Sequence, residues 1–324
     1  MAADRADPRG ALGDGCAAAR PTRARRACAI QEGVVIEVVA PGPLSLIEDL
    51  GRPGHADVGV TRSGALDRRA LTLANRLVGN QEAAAAIEVT VGGLFVRFEE
   101  PTWFAVTGAW GPMSLSGSDC PSDTAVLARG GSVLSLGPAD HGARYYVAVR
   151  GGIDVDLVLG SRSTDTLSGL GPAPLAAGDM LPVGRMASVP IPAVDTLTLS
   201  APTDGPVDVA VHLGPRDDWF SEEALVALFD SAWTVGADSN RIGMRLGGPA
   251  LERSGVGSGE LRSEGMVGGS IQVSPSGQPT VLLADHPVTG GYPVIAVVAD
   301  ADLDTFAQLR PGQSVRFRHA PPLP

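Results

Sequence analysis

Arginine, aspartate and hydroxyl side chains gather in short glycine-rich segments of this sequence. Arg150 is followed by two glycines, and residues 160–164 read GSRST. A guanidinium group binds two oxygens of an anion at once, and neighbouring hydroxyls supply further donors. The pattern indicates an anion or carboxylate clamp, although a structural turn tied by serine side chains accounts for it equally well.

The longest polar stretch covers residues 263–293. It begins with SEGMVGGSIQV and ends with DHPVTGGYP at residues 285–293. An apolar strand at 280–284 would deliver Asp285 into the second loop, and loops on a rigid scaffold commonly carry binding and catalytic groups. This stretch is therefore the strongest candidate for a ligand site, and a simple β-turn is the alternative.

Other polar residues stand at spacings that could bring them into one site. Asp67 and Asn75 lie eight residues apart, which places them within about 80° of each other around a helix axis. They could both face a cleft, or Asp67 could support the start of the helix while Asn75 bonds to a loop. Arg241 and Arg245 could bracket one site or be surface charges. Glu88 could be a buried carboxylate paired to an arginine or part of a solvated strand face.

Hydrophobic periodicity predicts the elements that must position these groups. Residues 65–78 form the clearest helix because leucines and alanines recur on one face, and Ser63 is predicted to cap its start. Shorter helices are predicted at 219–229 and 302–309. The predicted strands are 33–39, 44–48, 87–91, 93–98, 103–107, 124–128, 132–136, 144–150, 207–213, 271–273, 280–284, 294–299 and 314–318.

Composition agrees with a mainly β protein with a few short helices. The 324 residues include 42 glycines and 26 prolines but only 4% aromatic residues, which favours turn-rich β structure. At roughly 150 residues per domain, this length favours two domains. We predict a disordered tail at 1–32, an N-terminal β-rich domain at 33–203 and a C-terminal β-barrel domain at 204–320, with a proline-rich crossing at 185–206.

The charged residues exclude several chemistries. All 25 basic residues are arginine, so the chain has no lysine for a P-loop, a Schiff base or covalently attached biotin. The formal net charge of −11 argues against a nucleic-acid partner. The histidines are scattered without metal-ligand spacing, and Gly-x-Ser-x-Gly is absent, so we expect neither a metal centre nor a nucleophile elbow. The body of the chain has one cysteine, Cys120, and no apolar run long enough to span a membrane, so we expect a cytoplasmic protein with no membrane partner.

Nine motifs in order resemble one known family over residues 33–319. The motifs are EDLGRPGH, SGALD, ANRLVGN, IEVTVGG, YVAVRGGID with VLGSRST, SNRIGMRLGG, RSEGMVGGSIQV, LLADHPVTGGYP and AQLRPGQSVRF. With these motifs the sequence is similar to the biotin-dependent carboxyltransferase-like proteins, also called allophanate hydrolase subunit 2, a group that includes KipA and the C subunit of the prokaryotic 5-oxoprolinase.

The resemblance implies two β-barrel-like domains, of which the C-terminal one is cyclophilin-like. It also implies a partner resembling allophanate hydrolase subunit 1, which is the 5-oxoprolinase B subunit, together with the 5-oxoprolinase A subunit. Such a complex opens 5-oxoproline to glutamate with ATP and Mg, at a nucleotide site on this chain or on a partner. One alternative is the carboxyltransferase component of a urea carboxylase or allophanate hydrolase system, with biotin supplied by another chain. The other is a non-catalytic regulatory partner of the subunit 1-like protein.

The same resemblance suggests roles for individual residues. Asp285, Glu264 and Asp67 are the candidates for general base or metal-ion partner. Four arginines would neutralise phosphate and the substrate carboxylate, and four further residues would bind the substrate: Arg52, Arg162, Arg241 and Arg245, then Gln272, Thr289, Tyr292 and Asn75. These groups are expected to converge on a pocket shared by the two β domains and completed by another polypeptide. The last loop departs from the family pattern DRQTTGGYP, because His286 stands where the family has arginine.

Overall fold

A computed structural model describes residues 34–185, 190–191, 201–255 and 259–322. The predicted disordered tail at 1–32 lies outside the described residues, as does most of the proline-rich crossing. The described residues belong to one compact unit of the chain, Gly33–Pro324. The division into two domains at 203/204 stays a prediction.

Strands far outnumber helices along the described chain. In chain order the strands are β1 (Val35–Pro41), β2 (Leu44–Glu48), β3 (Ala86–Thr90), β4 (Leu94–Phe98), β5 (Thr102–Trp110), β6 (Met113–Leu115), β7 (Ser118–Asp119), β8 (Val126–Ala128), β9 (Val133–Leu136), β10 (His141–Val149), β11 (Met180–Pro182), β12 (Val207–Leu213), β13 (Trp233–Val235), β14 (Gly243–Gly247), β15 (Glu264–Gly265), β16 (Ser270–Val273), β17 (Pro279–Leu282), β18 (Thr289–Gly290), β19 (Val294–Val298) and β20 (Ser314–His319). The α-helices are α1 (Arg68–Leu77), α2 (Glu222–Asp230) and α3 (Leu303–Phe306), and short 3-10 turns cover Ala56–Val58, Asp217–Trp219 and Asp300–Asp302.

Two antiparallel sheets make up the first half of the described chain. One has the strand order β11-β1-β4-β9-β6-β7 and the other β2-β3-β10-β5-β8. Their facing sides form one apolar core, to which β10 contributes Tyr145, Val147 and Val149. Side chains alternate along a strand, so Tyr146 and Ala148 point to the opposite face of the second sheet, where helix α1 packs.

Helix α1 begins at Arg68 because Asp67, rather than Ser63, is its N-cap. The Asp67 carboxylate accepts a hydrogen bond from the backbone N–H of Ala70 at 2.8 Å. The prediction that Ser63 caps the helix was wrong. Ser63 has a left-handed backbone with φ of 53°, and its hydroxyl donates to Asp285, 222 residues away in the chain.

The second half of the described chain closes into a seven-stranded barrel of order β12-β19-β16-β17-β14-β13-β20. Strands β12 and β20 pair in parallel, and this pairing completes the closure. Trp233 and Leu228 are fully buried in the barrel core, and the indole N–H of Trp233 donates to the Leu228 carbonyl. The prediction of a mainly β protein with a few short helices is therefore confirmed. No helix among the described residues is long and apolar enough to cross a bilayer.

Candidate functional site

Arg241 lies at the centre of a buried cluster of charged groups. Its guanidinium donates to both carboxylate oxygens of Asp285, from Nε at 2.9 Å and from Nη2 at 3.0 Å. Nη1 donates to Oε1 of Glu88 at 2.6 Å, and Nη2 also lies 3.3 Å from Oε1 of Glu48. All four side chains are almost completely buried. Three carboxyl groups therefore share one buried guanidinium.

Both halves of the fold deliver members of this cluster. Glu48 ends β2 and Glu88 lies within β3, two neighbouring strands of the second sheet. Arg241 comes just before β14 and Asp285 follows β17, and these two strands pair in the barrel. The ionic contacts therefore join the sheets to the barrel.

The surroundings shift the pKa values of two carboxyl groups of the cluster, Glu48 and Asp285, in opposite directions. Burial raises the pKa of Glu48 well above its usual range, because the attraction of Arg241 offsets only part of the loss of solvation. Burial would also raise the pKa of Asp285, but Arg241 and the hydroxyls of Ser63 and Thr166 outweigh it and hold that pKa below its usual value. Glu48 is therefore the carboxyl group most inclined to hold a proton. Neither of its oxygens accepts a well-formed hydrogen bond, and the nearby Ser163 hydroxyl donates to Asp49 instead.

Tyr146 connects the cluster to the start of helix α1. Its phenol donates to Oε2 of Glu88 at 2.7 Å and accepts from the backbone N–H of Asp67 at 2.8 Å. Burial and the nearby Glu88 carboxylate raise the pKa of Tyr146 well above its usual value. The phenol therefore stays a proton donor to Glu88.

Asp67 lines a cleft of about 540 Å³ between the second sheet and the barrel. One wall comes from α1 and β5, and the other from the segment around Asp304 and Gln308. Gln308 joins the walls, because its Nε2 donates to Oδ2 of Asp67 at 2.8 Å while its Oε1 accepts from the backbone of Ala143 at 3.0 Å. Burial raises the pKa of Asp67 from 3.8 to about 6. This side chain can therefore exchange a proton near neutral pH, as a general base does.

The raised pKa of Asp67 predicts a pH dependence of stability. A rise from 3.8 to about 6 corresponds to about 3 kcal/mol of preference for the protonated form in the folded state. This contribution is complete only below the unfolded-state pKa of 3.8 and is lost as the pH rises through about 6. We expect the free energy of unfolding of the wild type to fall by about 2 kcal/mol relative to Asp67→Asn between pH 4 and pH 7. Denaturant unfolding of both proteins across this range measures the difference, and parallel curves would contradict the assignment.

Arg52 and Arg162 lie in a network around Asp49. Arg52 is buried and donates to the carbonyls of Val158, at 3.2 Å, and Ser163. The backbone N–H of Arg162 donates to Asp49 at 2.7 Å, and its side chain pairs with Asp154. Neither arginine lines the cleft. In the structure these arginines order the loop at 158–163.

A second group forms at the small sheet of β15 and β18. The Glu264 carboxylate forms an ion pair with Arg216. Glu264 begins β15, which pairs with β18, the strand that begins with Thr289. The Gln272 amide donates to the Tyr292 carbonyl at 3.3 Å, and the Tyr292 side chain is about half exposed. None of the four predicted residues in this group lines the cleft.

The remaining two predicted site residues lie elsewhere. Arg245 is exposed and pairs with Asp238 at 3.3 Å, so it does not bracket a site with the buried Arg241. Asn75 is fully buried, and its amide donates to the carbonyls of Glu82 and Ala84. Arg245 is thus a surface charge and Asn75 bonds to a loop, as the alternative interpretations of these two residues described. Glu88, in contrast, is the buried carboxylate paired to an arginine.

Only a few of the predicted residues come together, and they do so in a buried network rather than in an open pocket. Arg241 and Asp285 come together, and Asp285 reaches the 160–166 segment through its bond with Thr166 at 2.6 Å. Asp67 is the predicted site residue that faces the cleft. Among the residues that the structure describes, no three histidine, cysteine, aspartate or glutamate side chains gather to hold a metal ion. The catalytic and binding roles of these residues stay predictions.

Comparison with known proteins places this architecture in a family. Residues 58–319 match the model of the carboxyltransferase domain, subdomain A and B. The chain belongs to this family. The resemblance to the carboxyltransferase-like proteins, first suggested by nine sequence motifs, is thus confirmed.

Relatives in this carboxyltransferase-domain family are named either as 5-oxoprolinase subunits or as urea amidolyases and urea carboxylases. The chain is 37% identical over 286 residues to the 5-oxoprolinase C subunit of Escherichia coli strain K12, a match that covers 87% of this chain and 90% of that protein. It is 33% identical to the urea amidolyase of Saccharomyces cerevisiae over 88% of this chain, but only 17% of that protein. The crystal structure of Kluyveromyces lactis urea carboxylase superposes with a TM-score of 0.82 at 31% identity, over 90% of this chain and 28% of that one.

Several residues of the site were not singled out from the sequence. Glu48, Tyr146, Arg144 and Gln308 all contribute to the network between the cleft and the buried cluster. A signal for Glu48 exists in β2, because the Leu46-Ile47 pair interrupts the alternation expected of a half-solvated strand and suggests burial on both faces.

Proposed function

We propose that this chain is the C subunit of a prokaryotic ATP-dependent 5-oxoprolinase, which opens 5-oxoproline to glutamate. The observation that carries the proposal is the similarity to the E. coli protein of that name over 90% of its length. The urea amidolyase match covers only 17% of its relative. The similarity to the 5-oxoprolinase C subunit is therefore the broader of the two and supports this role.

The chemistry of the reaction matches what the cleft offers. Hydrolysis of a lactam requires water to add to the carbonyl carbon, the ring C–N bond to break and a proton to reach the departing nitrogen. A lactam is a poor electrophile, so ATP is expected to activate the carbonyl. Asp67, with a pKa of about 6, is suited to accept the proton of the attacking water. The buried Arg241 cluster would hold Asp67 in place through Glu88 and Tyr146.

The nucleotide is proposed to bind on a partner protein. The cleft of this chain is lined by Asp67, Asp123 and Asp304 but by only two arginines, Arg69 and Arg76. With two guanidiniums against three carboxylates, the cleft lacks the excess of cationic groups that a triphosphate requires. The cleft residues therefore fit ATP with Mg poorly, and the nucleotide that activates the carbonyl is proposed to lie on a partner protein.

The proposal includes obligate partners. The E. coli relative is named as one of several subunits, which supports a complex with other polypeptides. We propose that these are the allophanate hydrolase subunit 1-like protein, which is the 5-oxoprolinase B subunit, and the 5-oxoprolinase A subunit. The proposed location is the cytoplasm, where 5-oxoproline and ATP would both be available.

Reconstitution tests this function. Co-expression with the A and B subunits is expected to give ATP-dependent glutamate release from 5-oxoproline, and omission of this chain should abolish it. A complete complex that forms but releases no glutamate would contradict the proposal. That result would favour the role of a non-catalytic regulatory partner.

A second candidate is the carboxyltransferase component of a urea carboxylase. The superposition on the K. lactis enzyme, at a TM-score of 0.82, favours it specifically. Since the chain has no lysine, biotin would have to arrive on another polypeptide. Transfer of a carboxyl group to urea from a carrier chain that bears carboxybiotin, in the absence of glutamate release, would establish this function instead.

A further inference from the structure

A second cavity, of about 190 Å³, lies on the other side of the start of helix α1. Asp67 faces the large cleft, whereas its neighbours Leu66 and Arg68 line this smaller cavity. The barrel supplies the opposite wall through Gly268 and His286. The two cavities share no lining residue. At about 30 Å³ per water molecule, the volume suits only a small ligand.

The cavity carries one cation without a carboxylate partner. Arg68 lies 2.9 Å from both Asp300 and Asp304, so its charge is neutralised. Arg62 is exposed, and its Nε donates to the Leu50 carbonyl at 3.3 Å. Within the described residues Arg62 forms no ion pair, so both of its Nη groups are available. A guanidinium in this state binds a carboxylate through two parallel hydrogen bonds.

The cavity also carries a hydrogen-bond acceptor that no described residue satisfies, on a side chain that is otherwise largely buried. His286 is only 7% exposed, and its Nδ1 lies 2.8 Å from the Pro287 carbonyl. A carbonyl only accepts, so Nδ1 carries the hydrogen and Nε2 of the neutral ring carries a lone pair. No described residue donates to Nε2. A ligand with an N–H or O–H group would satisfy this acceptor.

The space in front of His286 is open. A Cβ added at Gly268 would lie 3.9 Å from Nε2 and would meet no atom within 4 Å other than those of this imidazole ring. At the adjacent Gly269, with φ of +85°, a Cβ would come within 2.8 Å of Leu303. Room for a ligand group therefore exists at Gly268 and not at Gly269.

We propose that this cavity is a binding site for a small organic acid whose carboxylate pairs with Arg62 and whose N–H or O–H donates to Nε2 of His286. The site is separate from the Asp67 cleft, so a 5-oxoproline molecule bound here would be additional to the substrate molecule that the proposed function places beside Asp67. The wall between this cavity and the buried cluster is Ser63, which donates to Asp285 at 2.7 Å. 5-Oxoproline, with one carboxylate and one lactam N–H, has the required groups; its choice as the probe rests on the proposed function.

Isothermal titration of the full chain alone, without ATP or partners, tests the site. We expect saturable binding of 5-oxoproline, and binding at least roughly tenfold weaker for cyclopentanecarboxylate, which lacks the N–H, and for 2-pyrrolidinone, which lacks the carboxylate. Arg62→Gln and His286→Leu are each expected to weaken 5-oxoproline binding roughly tenfold or more. Gly268→Ala should weaken it while leaving the unfolding transition in place, because the added methyl fills the space in front of Nε2.

Matched controls separate this site from the cleft and from general charge. Arg316→Gln removes an exposed arginine on the barrel surface, and His212→Gln removes a histidine of β12; both should bind 5-oxoproline like the wild type. Loss of binding in Asp67→Asn, with no change in Arg62→Gln and His286→Leu, would place the ligand in the cleft and overturn the inference. Absence of saturable binding to the wild type would overturn it too. Glutamate release by the assembled complex is a separate readout, so the proposed function would survive either result.

Discussion

Replacement of Arg241 by methionine is expected to lower the free energy of unfolding by about 3–5 kcal/mol, because it leaves buried carboxyl groups without their cation. Glu48, Glu88 and Asp285 all lie within 3.3 Å of this guanidinium. Denaturant unfolding at pH 7.5 measures the loss. The loss should shrink towards pH 5, since carboxyl groups deprived of Arg241 have raised folded-state pKa values and are stabilised by protonation.

Arg245→Met is the matched control for this prediction. Arg245 lies four residues further along the chain, but its pair with Asp238 is exposed. We expect a change of at most about 1 kcal/mol. Adding Glu48→Gln and Glu88→Gln to Arg241→Met should recover part of the lost stability, because it removes two buried carboxyl groups, of which only Glu88 keeps another cation, Arg144 at 3.5 Å. An Arg241→Met protein as stable as Arg245→Met would show that the buried cluster does not hold the two halves together.

Replacement of Asp67 by asparagine is expected to lower kcat of the assembled complex by roughly 10²–10⁴-fold, because the cleft loses its general base. Asparagine is an equally good N-cap, so helix α1 should persist. In the wild type, kcat/KM should fall below pH 6 as Asp67, with a pKa of about 6, becomes protonated. The fall of kcat/KM below pH 6 should be absent in Asp67→Asn. Steady-state glutamate release between pH 5 and pH 8 measures both effects.

Asp208→Asn provides the control for Asp67→Asn. Asp208 lies exposed on β12, outside both cavities, and its replacement should leave kcat within twofold of the wild type. Co-purification of the variant with its partner proteins shows whether assembly is intact. An assembled Asp67→Asn complex with nearly wild-type kcat would remove Asp67 from the catalytic machinery.

The strands that the sequence predicts well are apolar runs between turn-forming residues. The predicted bounds of β2 and β12, at 44–48 and 207–213, agree with the structure. Strand β14 was not predicted, because it begins and ends with glycine and contains an arginine. Its conformation is supported by pairing with β17, which is distant in sequence, as well as with the nearer β13. Tertiary pairing of this kind leaves no local signal.

The site shows the same contrast: the sequence indicates candidate residues, but their environment depends on residues that are distant in the chain. Residue type, loop position and the family resemblance identified Arg241 and Asp285 as candidates. Their burial could not be predicted, because Glu88, a partner of Arg241, lies 153 residues away in the chain. The start of α1 shows a different limit. Ser63 and Asp67 are both good N-cap types, and the choice between them depends on Asp285, which engages the Ser63 hydroxyl.

A side-by-side assay of the purified complex tests the proposed activity most directly. One reaction contains this chain, the A and B subunits, ATP and 5-oxoproline, and the other replaces 5-oxoproline by urea and a carrier chain whose biotin has been carboxylated beforehand. We expect glutamate in the first reaction, lost when this chain is left out, and no carboxylated urea in the second. Carboxylated urea without glutamate would contradict the 5-oxoprolinase role.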